Sequence, residues 1–128
     1  MPAGVDVNIL IVDDDPDFLE GLRRGLVERG HTVRAVDHPY LALEAFKAGQ
    51  FDLIATDYNL PSMNGVDLLK TILTEHPETR RIIFSGAEEI DFSGKLEEKN
   101  VSLDAIFLKP FSISDLEAAL ARIKTEGV

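Results

Sequence analysis

Along this chain, short β-branched apolar runs alternate with longer amphipathic stretches at helical spacing. Val7-Asn8-Ile9-Leu10-Ile11-Val12 has the length and composition of a strand and is stopped by Asp13, Asp14, Asp15 and Pro16. Phe18, Leu22 and Leu26 then recur at four-residue steps with Leu19 beside them, while Glu20, Arg23, Arg24 and Glu28 fill the remaining positions. That spacing predicts a helix with one buried stripe, ended by Gly30. Thr32 to Val36 reads as a second strand; Pro39 suits a first helical position, and Leu43, Phe46 and several alanines carry that helix to Gly49. Asp52 to Asp57 is a third strand, apolar in its middle. Leu60-Pro61-Ser62-Met63-Asn64-Gly65 breaks regular structure before Val66, Leu69, Ile72 and Leu73 resume helical spacing. Arg81 to Phe84, closed by Ser85-Gly86, makes a fourth strand, and Ala105 to Leu108, closed by Lys109-Pro110, a fifth. Between these two, Glu88 to Asn100 predicts a short helix interrupted at Gly94. A last helix opens at Ser112 with Asp115 three residues on, as in a capping box, and buries Ile113, Leu116, Leu120 and Ile123.

Five mostly apolar strands alternating with five helices predict an α/β fold: a parallel sheet covered by helices on both faces, with right-handed crossovers. The 128 residues suffice for one core, and a hydrophobic fraction of 45% argues against disorder. No apolar run reaches the roughly 18 residues of a membrane span, and Met1 to Ile9 lacks a basic leader. The absence of cysteine removes disulfides, thiolate metal sites and thiol nucleophiles, and is compatible with the cytosol. With 13 basic and 23 acidic side chains the formal charge is −10, which repels nucleic acid and anionic lipid.

Ligands of open parallel sheets bind at the carboxyl ends of the strands, where strand order reverses. At that edge the first strand delivers Asp13, Asp14 and Asp15, the third Asp57, the fourth Ser85 and the fifth Lys109. Carboxylates gathered there repel one another unless a cation intervenes. Oxygen ligands without His or Cys select a hard cation, and Mg²⁺ characteristically keeps waters and a phosphate oxygen. A Mg²⁺ on Asp14 and Asp57 leaves one Asp57 oxygen as a nucleophile toward phosphorus. Lys109 would then neutralise charge on the transferred phosphoryl group, and Ser85 would donate a hydrogen bond to it.

Ile9-Leu10-Ile11-Val12-Asp13-Asp14-Asp15-Pro16, Asp52 to Asp57, Leu60 to Gly65, Ile82-Ile83-Phe84-Ser85-Gly86 and Phe107-Leu108-Lys109-Pro110-Phe111 together resemble the receiver domain of two-component response regulators. The resemblance covers nearly the whole chain, with the motifs in order. It implies a flavodoxin-like, doubly wound sheet in the order 2-1-3-4-5, and a single receiver domain over residues 3–125 with no attached output domain. It also implies Asp57 as the phosphoacceptor, and Asp14 as a direct ligand of Mg²⁺, with Mn²⁺ able to substitute. Asp13 would act through a metal-bound water, and the Asn59 backbone carbonyl would complete the shell. Ser85 matches the switch hydroxyl and Lys109 the phosphoryl-contacting lysine, whose bond to Pro110 is commonly cis. Such families usually carry Tyr or Phe three residues before the lysine. Here that position is Ile106, and Phe107 follows it on the opposite strand face, which puts an aromatic switch at Ile106 in question.

The implied activity is Mg-dependent transfer of a phosphoryl group from a sensor histidine kinase or histidine phosphotransfer protein, and later its hydrolysis. This is catalysis on the domain itself rather than that of a classical enzyme. The implied setting is cytoplasmic. The implied partners are the phosphodonor and a downstream protein target, with no direct nucleic-acid or membrane contact and a monomeric or weakly dimeric state. A different class, a small phosphatase of the haloacid dehalogenase type, would use Asp13 and Asp15 with Ser85 and Lys109 but leaves Asp57 unexplained. A calcium loop on Asp13, Asp15 and Asp17 fails, because Phe18 stands where glycine is required and Arg24 where the bidentate glutamate belongs. Taken singly, the acidic triplet reads as a helix cap, Lys109 as a surface charge, and His31, His38 and His76 as surface histidines. Tyr58 either lines the site or packs, Phe111 packs at the start of the last helix, and Gly65 supplies a backbone shape.

Overall fold

The computed structural model describes residues 7–86 and 92–126. Its elements in chain order are β1 (Asn8–Val12), α1 (Pro16–Glu28), β2 (Thr32–Val36), α2 (Pro39–Ala48), β3 (Leu53–Asp57), α3 (Gly65–Glu75), β4 (Arg80–Ser85), α4 (Ser93–Lys99), β5 (Ala105–Leu108) and α5 (Ile113–Glu126). All strand pairs are parallel, and the sheet order is β2-β1-β3-β4-β5. The order reverses at β1, which pairs with β2 on one side and β3 on the other.

The central strands β1, β3 and β4 run apolar through their middles because each supplies two cores at once, whereas the edge strand β5 packs only its Ala105 and Phe107 face inward. On β1, Leu10 and Val12 face one way, joined by Ile54 and Ile83, and pack on Ala42, Phe46, Val66, Leu69 and Ile72 of α2 and α3. Ile9 and Ile11 face the other way with Leu53, Ala55, Ile82 and Phe84, against Leu22 and Leu26 of α1 and Leu116, Leu120 and Ile123 of α5. The period of two along the strands thus meets the period of 3.6 along each helix.

Caps fix the helix entries. Asp15 accepts the backbone N–H groups of Asp17 and Phe18 ahead of Pro16, so the acidic triplet does include a cap. His38 caps α2 and Asn64 caps α3. Ser112 Oγ accepts the Asp115 N–H at 3.0 Å, as the capping pattern predicts. Ser112→Ala should therefore lower stability by about 1 kcal/mol, read from urea denaturation midpoints. Helix α4 is short as expected, with seven residues and no buried side chain, but Gly94 lies inside its first turn rather than interrupting it. Asn100 ends it in the left-handed conformation at φ 57°. The start of the expected 88–100 helix falls in residues 87–91, outside the described residues.

One histidine departs from expectation. His31 is buried, not on the surface: its Nδ1 accepts the Val7 N–H at 3.1 Å, and Nε2 lies 2.8 Å from Glu117 Oε1. With Nδ1 accepting, Nε2 carries the proton and donates to the carboxylate, tying the end of α1 to α5. Glu117 is 86 residues away in sequence, so no local pattern signals the pair.

Candidate functional site

At the carboxyl edge of the sheet, where the strand order reverses, β1 and β3 release their terminal acids side by side. Asp13, Asp14 and Asp57 each present a carboxylate oxygen, all within 4.8 Å of one another. Asp13 and Asp57 are buried and Asp14 is exposed. Asp13 uses both oxygens: Oδ1 accepts the Asp15 N–H at 2.9 Å, and Oδ2 accepts from Lys109 Nζ at 2.6 Å. The Lys109 ammonium also lies 3.3 Å from Asp57 Oδ1. Burial pulls the Lys109 pKa down, but the hydrogen bond it donates to Asp13 and the charges of Asp13 and Asp57 outweigh it and hold the group above its ordinary value. It therefore remains an ammonium throughout the neutral range.

Among the described residues, three carboxylates gathered beside the Lys109 ammonium leave an excess of negative charge in a partly buried space. The donors are all hard oxygens, and the exposed Asp14 opens the group toward solvent, a donor set that fits an oxygen-coordinated divalent cation.

Two backbone features hold the rim. Gly65, the first residue of α3, lies so close to β3 that a Cβ there would meet the Asp57 carbonyl oxygen at 2.6 Å and Tyr58 Cα at 3.1 Å. Its N–H donates to the Tyr58 carbonyl at 2.7 Å, so only glycine lets α3 begin directly against the acid-bearing strand end. On the other side the Lys109 N–H donates to the Ser85 carbonyl at 2.9 Å, and the Lys109–Pro110 peptide is cis, in line with the resemblance.

Asp13, Asp14, Asp57 and Lys109 are brought together as the strand-end pattern anticipates. Ser85 is fully buried at the end of β4, and its hydroxyl donates to the Gly86 carbonyl at 3.1 Å. Asn59 lies exposed in the loop after β3. Ile106 is 51% exposed, whereas Phe107 turns inward to the aromatic cluster, confirming the opposite-face expectation for β5. Tyr58 stacks on Phe92 with ring centroids 4.7 Å apart, which gives it a packing partner beside the site. Asp15 does not join the carboxylates, because it is spent on the α1 cap. That removes half of the acid pair a haloacid-dehalogenase-type phosphatase would use, and the alternative is not favoured.

Phe18 was legible only as one member of an apolar helix stripe. In the fold its ring lies under the Lys109 ammonium, 4.3 Å from Nζ to the ring centroid. The sequence signal, an aromatic three residues beyond the capping acid, becomes informative only once Lys109 is known to approach it. A cleft of about 460 Å³ at the opposite, amino edge, lined in part by Val7, Asp52, Arg80 and Leu120, contains none of these groups.

Comparison with known proteins agrees with this geometry. The response regulator receiver domain family matches residues 9–121. Among curated proteins, the chain is 29% identical over 119 residues to chemotaxis protein CheY-3 of Vibrio cholerae, covering 92% of each. It is 30% identical to the DNA-binding transcriptional regulator NtrC of Proteus hauseri, covering 92% of this chain but 24% of that one, and so spans about a quarter of that relative's length. Among solved structures, the signal receiver domain of an HD domain-containing protein from Pseudomonas fluorescens superposes with a TM-score of 0.83 at 25% identity, covering 98% of both chains. A CheY-like receiver domain protein from Methanospirillum hungatei gives 0.79 at 27% identity, over 98% of this chain and 94% of the other.

Proposed function

The chain belongs to the response regulator receiver domain family, a family of signalling domains, and from that premise we propose that Asp57 accepts a phosphoryl group from a phosphohistidine. The donor is a sensor histidine kinase or a histidine phosphotransfer protein, and the aspartyl phosphate changes the surface offered to a downstream protein target. The observation that carries this reading is the contact of Lys109 with both Asp13 and Asp57 inside a three-carboxylate cluster.

In the transfer, an Asp57 carboxylate oxygen attacks the phosphorus of a phosphohistidine protonated on its other ring nitrogen, and the P–N bond breaks with its electron pair passing to nitrogen, leaving a neutral imidazole on the donor. Lys109 already stands 3.3 Å from Asp57, so its charge is in place before charge spreads over the phosphoryl oxygens. Asp14 and Asp57 would hold Mg²⁺ or Mn²⁺ directly, Asp13 through water, and Asn59 through its backbone carbonyl. The bound cation would neutralise phosphoryl oxygens and relieve carboxylate repulsion. Ser85 reaches the product by giving up its bond to the Gly86 carbonyl, and that exchange ties the end of β4 to the phosphorylation state. The domain serves as one unit over residues 3–125, acting as a monomer or weak dimer without direct contact with nucleic acid. Among the described residues no helix is long and apolar enough to cross a membrane.

Mg²⁺ at a hundred times its dissociation constant should stabilise the chain by about 2.7 kcal/mol, seen as a rise in melting temperature. Asp14→Ala should remove that increment and raise the Mg²⁺ needed for labelling by acetyl phosphate. A melting temperature indifferent to Mg²⁺, together with labelling that survives chelation, would overturn the metal-dependent mechanism.

A further inference from the structure

We propose that Phe18 is a positioning residue for Lys109, its ring face holding the ammonium between Asp13 and Asp57 in readiness for phosphoryl transfer. The proposal rests on the phosphoacceptor role of Asp57 and deepens it. A lysine ammonium carries three N–H donors on a flexible four-carbon stem and does not hold one direction unless its surroundings impose it. Here two directions end on carboxylates, at 2.6 Å on Asp13 and 3.3 Å on Asp57. The ring of Phe18, 4.3 Å from Nζ to its centroid, supplies an electron-rich face as a further contact.

The ring is itself fixed. Phe84 and Phe111 meet it in edge-to-face geometry at 5.7 and 5.8 Å, with interplanar angles of 75° and 79°. Phe84 pairs with Asp57 across the sheet and precedes Ser85, while Phe111 lies two residues after Lys109. The backbone N–H of Phe18 is accepted at 3.4 Å by Asp15, whose own N–H donates to Asp13. Each of these three groups is a sequence neighbour or strand partner of a reactive residue. Phe107 completes the cluster through Phe111 at 5.2 Å, so four of the seven phenylalanines gather on this side of the sheet. Position 106, by contrast, is an exposed isoleucine facing the other way. The aromatic that touches the lysine in this chain belongs to α1.

The test compares the full chain with Phe18→Leu, Phe18→Tyr, and phenylalanine analogues of increasing ring fluorination at position 18, which keep the ring's shape while weakening its face. Beryllofluoride with Mg²⁺, a stand-in for the phosphoryl group, is titrated by fluorine NMR, and labelling by acetyl phosphate is timed. Phe18→Leu should bind beryllofluoride about threefold to tenfold more weakly, fluorination should lower affinity in graded steps, and Phe18→Tyr should stay within about twofold of the parent. A flat fluorination series would overturn the proposal, because apolar packing alone is indifferent to ring electrostatics. The series also decides the matter if the leucine variant fails to fold. A parent chain that binds no beryllofluoride and takes no label defeats the phosphoacceptor reading itself, a result distinct from a flat series on a parent that binds.

Discussion

Asp57→Asn should abolish the proposed phosphoryl uptake without unfolding the protein. The amide keeps the size of the carboxylate at a position that is 6% exposed, so packing is preserved, but it replaces the nucleophilic oxygen with a poor one. Label from acetyl phosphate should fall by more than about a hundredfold, as expected when the covalent nucleophile is removed. The variant also removes one of three crowded negative charges, so its melting temperature in the absence of divalent cations should equal or exceed that of the parent. Mass spectrometry of labelled parent and variant settles the acceptor. Label found on Asp13 that persists in Asp57→Asn would sink the phosphoacceptor assignment and revive a phosphatase-type chemistry.

Gly65→Ala is expected to be strongly damaging for a single added methyl. Its Cβ would lie 2.6 Å from the Asp57 carbonyl oxygen, and the three nearest atoms are all backbone, which cannot swing aside like a side chain. Either α3 shifts away from β3 or the end of β3 moves, and both displace Asp57. Overpacking of this kind costs about 1–3 kcal/mol, and labelling should slow because the nucleophile is moved from its place beside Lys109. Gly21→Ala is the matched control. Gly21 lies within α1 with nothing within 4 Å of a Cβ, so alanine should stabilise the helix by about 0.5–1 kcal/mol. Urea denaturation of the two variants should shift in opposite directions. A Gly65→Ala midpoint equal to that of the parent would mean that α3 does not press on the acid-bearing strand.

Much of this was legible before any coordinates. The central strands could be located because each feeds two cores and so runs apolar through its middle, as Ile9-Leu10-Ile11-Val12 does. Four of the helices could be located because each carries one stripe, as Leu116, Leu120 and Ile123 do on α5, whereas α4 buries no side chain. Asp13, Asp14, Asp57 and Lys109 could be nominated because strand ends in a parallel sheet share one edge. Asp15 looked equivalent to its neighbours and is not: its position immediately before Pro16 makes it the cap of α1. His31 shows the opposite failure. Beside Gly30 at the end of a helix it has every local mark of a surface residue, and it is buried because α5 returns across it with Glu117.

The sequence by itself determined the alternation of elements, the two-faced burial of the central strands, and the set of residues that leave the strands' carboxyl ends. These are local properties, written in periods of two and 3.6 and in the residues that stop each run. Tertiary structure alone decided which of those residues meet, because the right-handed crossovers fold distant segments onto one edge. Lys109 reaches Asp13 across 96 residues, and the same closure lays its ammonium over Phe18 and Glu117 against His31. No periodicity encodes such meetings; they follow from how helices of particular length and packing bring the ends of β1, β3 and β5 together.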